Sequence, residues 1–86
     1  MIAPSLMTRD DLIEQMKLEG IPLHMLSAQT SVPSGCFGIR EGNGAWETFY
    51  AERGLETGLS IFSTEDAACN ALLDEMREYA IVSGYI

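Results

Sequence analysis

The spacing of apolar positions changes along this chain from helical to alternating and back to helical. Between Thr8 and Gly20, the apolar residues Leu12, Ile13 and Met16 recur at the interval that places them on one helical face. Thr8 is suited to cap the free amides at the start of that helix. Asp10 and Asp11 follow in the first turn, where the helix dipole favours negative charge. Gly20 can adopt the left-handed conformation that ends a helix, and Pro22 prevents continuation. Residues 21–34 carry no clear period and read as a loop crossing the domain, pinned by Ile21, Leu23, Met25 and Leu26.

From Cys36 the period becomes two. Cys36 to Glu41 reads as a strand with Phe37 and Ile39 on one face. Gly42-Asn43-Gly44 is turn chemistry, since glycine and asparagine accept positive φ. In the strand Trp46 to Glu52, Trp46, Thr48 and Tyr50 point one way, and Glu47, Phe49 and Ala51 point the other. Arg53-Gly54 turns the chain into a third strand, Leu55 to Phe62, in which Gly58 marks a bulge. Helical spacing then returns. Ser63-Thr64-Glu65-Asp66 approximates a capping box led by Ser63, with Asp66 in place of the usual Glu or Gln. Cys69, Leu72, Leu73, Met76 and Ala80 form the buried stripe, and Glu65, Asp66, Asp74, Glu75 and Glu78 lie largely off it. The expected fold is α+β, in the order α-β-β-β-α. A three-stranded antiparallel meander carries both helices on one face and leaves the other face open to a partner. Residues 1–7 read as a loose leader, and 82–86 as an apolar tail that folds back or joins a partner chain.

Eighty-six residues make one small domain (1–86) with a limited core. Thirteen acidic residues against five basic ones give a formal net charge of -8. Such a surface repels nucleic acid and attracts a basic partner, or serves only to keep the protein soluble. Cys36 and Cys69 form no disulfide framework and read as reduced thiols, and no stretch reads as a membrane span or signal peptide. The expected location is the cytoplasm.

The search for chemistry finds little. The carboxylates sit in helix turns where they read as solvated, rather than in a cleft that pushes their pKa values apart. His24 is the sole histidine, and nothing in the sequence sets it beside Cys36 or a serine as a catalytic base. The two cysteines match no zinc spacing and the acids follow no calcium-loop order. No catalytic residue, metal or cofactor is assigned. Trp46 and Tyr50 read either as core residues or as aromatic anchors on a sheet face, with Tyr50 the better anchor because its hydroxyl seeks a partner. Arg53 reads as pairing with Glu52, Glu56 or a helix carboxylate to fix its turn.

The run W-E-T-F-Y-A-E-R-G, followed by I-F-S-T-E-D-A-A-C-N-A-L-L, resembles a group of small bacterial proteins. These share a W-x-x-Y-Y-x-E-R-G-like strand and an F-x-[ST]-E-x-x-A-C helix entry. The leading T-R-D-D-L-I-E-Q-M-K-L-E-G-I-P also fits their first helix, so the likeness spans most of residues 8–76. Phe49 stands where the pattern has Tyr. The group is associated with the immunity proteins of polymorphic and contact-dependent toxin systems. The resemblance implies a protein that binds and neutralises a cognate toxin domain, one of nuclease type with a basic cleft. Motifs shared in such families hold the fold, so the contacts are expected at exposed acids: Glu41, Glu47, Glu56, Asp74, Glu75 and Glu78, with Tyr50 as the aromatic anchor. The alternative is a non-catalytic adaptor, monomeric or joined as a homodimer through a sheet edge or the tail.

Overall fold

The first helix, α1 (Arg9–Glu19), is closed at both ends by the residues that predict it. The Thr8 hydroxyl accepts from the Asp11 amide at 3.2 Å, and the Asp11 carboxylate accepts from the Thr8 amide at 3.0 Å. This reciprocal pair satisfies two amides that lack helical partners. At the other end Gly20 takes φ 78°. The Ile21 amide reaches back to the Met16 carbonyl at 2.9 Å, and both side chains are buried.

The computed structural model describes residues 6–27 and 35–86. After α1 come a 3-10 turn at Leu23–Met25, β1 (Leu26–Ser27), β2 (Cys36–Gly42), β3 (Ala45–Glu52), β4 (Leu55–Phe62) and α2 (Glu65–Val82). The fold is α+β, but the sheet has four strands in the order β1-β2-β3-β4, and β1 runs parallel to β2. The expected sheet of three antiparallel strands is therefore incomplete. The added strand is two residues long, too short for an alternating pattern. It forms because the chain leaves the 3-10 turn extended beside the outer edge of β2. The rest of the expected loop, 28–34, and residues 1–5 of the expected leader lie outside the described residues.

The meander itself follows the predicted order. Asn43 and Gly44 (φ 54° and 73°) join β2 to β3, and Arg53 and Gly54 (φ 52° and 79°) join β3 to β4. Two consecutive positive φ values match the right-handed twist of the flanking strands. Phe49 alone on β3 faces both Gly58 and Leu59, because pairing moves from Thr48–Ser60 to Tyr50–Thr57. Gly58, at φ 65°, supplies the left-handed residue of this bulge.

Both helices lie on one face of the sheet. Leu12 and Met16 of α1 join Ala68, Cys69, Leu72, Leu73, Met76 and Ala80 of α2 in a cluster that includes Phe37 and Ile39. Trp46, Tyr50 and Phe62 pack against it. The helices run parallel, so the start of α1 meets the start of α2. There the Glu65 carboxylate accepts the Arg9 amide at 3.0 Å, and Asp66 accepts the Met7 amide at 2.6 Å. Further along, Arg77 forks onto Glu19 at 2.6 and 2.7 Å.

Three local expectations change here. Thr64, not Ser63, caps α2, its hydroxyl accepting from Ala67 at 3.1 Å. Asp66 is drawn off to Met7, so the box predicted around Ser63 does not form. Glu65 and Asp66 are half-buried acceptors, for the first amide of α1 and for the Met7 amide just before its cap, rather than solvated acids. Met7 is held and partly buried, so the end of the expected loose leader is fixed. The tail folds back. Gly84 (φ 81°) ends α2, the Tyr85 amide reaches the Ala80 carbonyl at 2.8 Å, and the Tyr85 ring meets His24 edge-on at 6.2 Å.

Candidate interaction surface

The helix-free face of the sheet is built around one ring. Phe49 points away from both helices yet is only 1% exposed. Gly38, its cross-strand partner, has no side chain, and the ring fills that space: a Cβ on Gly38 would come within 2.4 Å of the ring. Arg40, two residues along β2 on the same face, lays its guanidinium over the ring at 4.4 Å. That guanidinium is held by Glu47 at 2.7 Å and, through both terminal nitrogens, by Glu56 at 2.7 and 2.9 Å. Its hydrogen bonds to Glu56 and Glu47 raise the Arg40 pKa, and the bond from Arg40 lowers that of Glu56. The centre of the open face is thus a closed ionic lid. Its apolar rim is Leu59 and Ile61 on β4, 52% and 64% exposed, beside a sheet edge that pairs with no strand among the described residues.

A second surface lies where the last turns of α2 pass the start of β2. Phe37, Glu75, Glu78, Tyr79 and Val82 line a wide-mouthed depression of about 370 Å³. The Tyr79 ring stands edge-on to Phe37 at 5.8 Å, and Phe37 stands edge-on to Tyr50 at 5.0 Å. Tyr79 stays 42% exposed and Val82 82%. Burial and the neighbouring Tyr79 raise the pKa of Tyr50.

The residues expected to bind a partner are therefore divided. Glu75 and Glu78 meet in the depression, with Tyr50 behind its aromatic wall. Glu47 and Glu56 meet on the opposite face, where both hold Arg40. Asp74 is exposed and pairs with Arg77 at 3.0 Å, while Glu41 stands alone at the end of β2, paired in register with Trp46. Tyr79 and Val82 were not singled out from the sequence, and Phe37 was read only as a strand-face residue, not as part of this surface. The signal was there: Glu75, Glu78, Tyr79 and Val82 fall at helical spacing, as a second stripe beside the buried one. Arg40 was missed too, although the tight Asn43-Gly44 turn sets it opposite Glu47.

The Cys36 thiol lies 3.2 Å from the His24 carbonyl, so the two residues meet through the backbone rather than the imidazole. Burial pushes the Cys69 thiol up to about 11, as expected of a core cysteine. Among the described residues no group of three or more His, Cys, Asp or Glu side chains gathers to hold a metal, and no helix is long and apolar enough to cross a membrane.

Compared with protein families, curated proteins and solved structures, the chain finds no match in any of the three.

Proposed function

We propose that this protein is a non-catalytic binder of a basic protein partner, acting in the cytoplasm as the immunity protein of a nuclease-type toxin domain. The observation that carries this reading is how the charges are distributed. Arg9, Lys17, Arg40 and Arg77, four of the five basic residues, are engaged by the chain's own carboxylates. Glu41, Glu52, Glu75 and Glu78 remain exposed and form no ion pair among the described residues. A surface whose cations are paired by its own carboxylates while further carboxylates stay exposed speeds encounter with a positively charged cleft and takes the place of substrate phosphates there. The sequence likeness to toxin-immunity proteins supplies the choice of partner.

The test is co-expression with the toxin domain encoded beside the gene, followed by capture of one partner. A stable one-to-one complex that restores growth is expected. Failure of both binding and rescue refutes the proposal.

One feature favours a second reading, a homodimeric adaptor joined along β4. That strand is an edge, and Leu55, Leu59 and Ile61 on it are exposed. A molar mass that rises with concentration in sedimentation equilibrium is the expected result for this alternative. A constant monomer mass at high concentration excludes it.

A further inference from the structure

Twice in this molecule an aromatic ring, an arginine and a carboxylate come together. Arg40 covers Phe49 at 4.4 Å between Glu47 and Glu56. Arg9 covers Trp46 at 5.0 Å and pairs with Glu65 at 3.3 Å. The planar guanidinium suits both neighbours at once, stacking on the ring while its edge forks onto the acid. The depression at the end of α2 repeats the ring and the acids, with Tyr79 and Phe37 beside Glu75 and Glu78, but no Lys or Arg among the described residues lines it. Arg77, the nearest arginine on the helix, is turned to Glu19 and Asp74.

The place of these acids on the helix points the same way. Glu75 and Glu78 sit in the C-terminal half of α2, toward the negative end of the helix dipole, and the last turn carries no basic residue. A cation is favoured at that end of a helix. At the other helix ends Asp10 and Asp11 lie in the first turn of α1, Lys17 in its last beside Glu19, and Glu65 and Asp66 in the first turn of α2. An incoming cation meets two exposed carboxylates next to a last turn that supplies no cation of its own.

We infer that the depression formed by Phe37, Tyr79 and Val82, flanked by Glu75 and Glu78, is the anchor site for an arginine side chain of the protein partner. The guanidinium stacks on Tyr79 and its nitrogens donate to the two carboxylates, while the methylene stem lies against Val82 and Phe37. The site deepens the proposed binding of a basic partner and rests on that reading for its occupant.

The test uses a nuclear magnetic resonance titration of the whole chain with Nα-acetyl-arginine amide, and with the citrulline amide as a neutral analogue of the same shape. Saturable shifts at Phe37, Glu75, Glu78, Tyr79 and Val82 are expected with arginine and not with citrulline. Glu75→Gln/Glu78→Gln should weaken binding about fivefold or more, and Tyr79→Ala by a similar factor. These side chains are exposed, so an unchanged spectrum elsewhere in each variant certifies its fold. Equal response to citrulline, shifts that drift without saturation at Glu41 and Glu52 alike, or undiminished binding by the double variant would overturn the assignment. Toxin capture separates the two claims. If the double variant captures the toxin domain as well as the parent chain does, the anchor site is wrong and the binding reading stands. If arginine binds here and no toxin domain is captured, the site stands and the proposed function fails.

Discussion

On the face beneath the helices, Phe37, Ile39 and Tyr50 share one apolar cluster with Leu72, Met76 and Ala80. On the opposite face, Phe49 is just as buried, yet its visible cover is a glycine and a guanidinium held by two acids. The first cover is non-directional and insensitive to salt. The second depends on three charged side chains keeping their places, and on Gly38 keeping its emptiness. The contrast separates two kinds of glutamate. Glu47 and Glu56 are held by an arginine of their own chain and close the fold. Glu75 and Glu78 form no ion pair among the described residues and stay exposed.

The widest effects come from removing the residues that each cover protects. Phe49→Ala empties the open face and is expected to cost about 3–5 kcal/mol; Leu72→Ala on the helix side should cost about 2–5 kcal/mol. Comparable losses in urea denaturation would show that the ionic lid seals as well as the helices do. A loss under about 1 kcal/mol for Phe49→Ala would break the comparison, since it would mean the ring gains little from its lid.

Gly38→Ala comes next. Its methyl would meet the Phe49 ring, and the expected cost is about 1–3 kcal/mol. Combining it with Phe49→Leu should recover part of that loss, because the two positions share one space. Additive losses in the same denaturation assay would contradict the close fit.

Smaller still is the acid response of the helix seam. The hydrogen bond from Arg77, helped by Gln15, lowers the Glu19 carboxyl from the ordinary 4.5 to about 2. A depressed acid stabilises the fold above its unfolded value, and that stabilisation is lost as pH falls from 4.5 toward 2. Glu56, depressed by Arg40, acts in the same direction on the open face. The melting temperature should therefore fall on acidification through this window, and Glu19→Gln should fall less steeply from a lower starting value at neutral pH. Parallel curves for the two proteins would remove Glu19 from the account.

The parts legible in the sequence were those governed by local rules. The Thr8 cap, the Gly20 stop, both turns and the bulge at Gly58 all follow from residue chemistry at fixed spacing, while the return bond from the Thr8 amide to Asp11 was not read. The parts that escaped depend on how elements meet. Two residues of β1 carry no period. The cap of α2 falls on Thr64, and Asp66 accepts instead from Met7, a residue 59 positions away. The parallel helices put Glu65 on the amides of α1, which no helical-wheel argument contains. The candidate site was legible in part: Glu75 and Glu78 were singled out for their charge, while the Tyr79 and Val82 that shape the depression lay unused on the same stripe.

The most direct measurement compares two pairs of neutralised acids in one calorimetric experiment against the cognate toxin domain, with the melting temperature of each variant taken alongside. Glu47→Gln/Glu56→Gln is predicted to melt lower and bind nearly as the parent does. Glu75→Gln/Glu78→Gln is predicted to melt no lower, since neither acid forms an ion pair among the described residues, and to bind about fivefold or more weakly. The opposite pattern, with binding lost at Glu47 and Glu56 and retained at Glu75 and Glu78, would contradict the division between structural and recognition carboxylates.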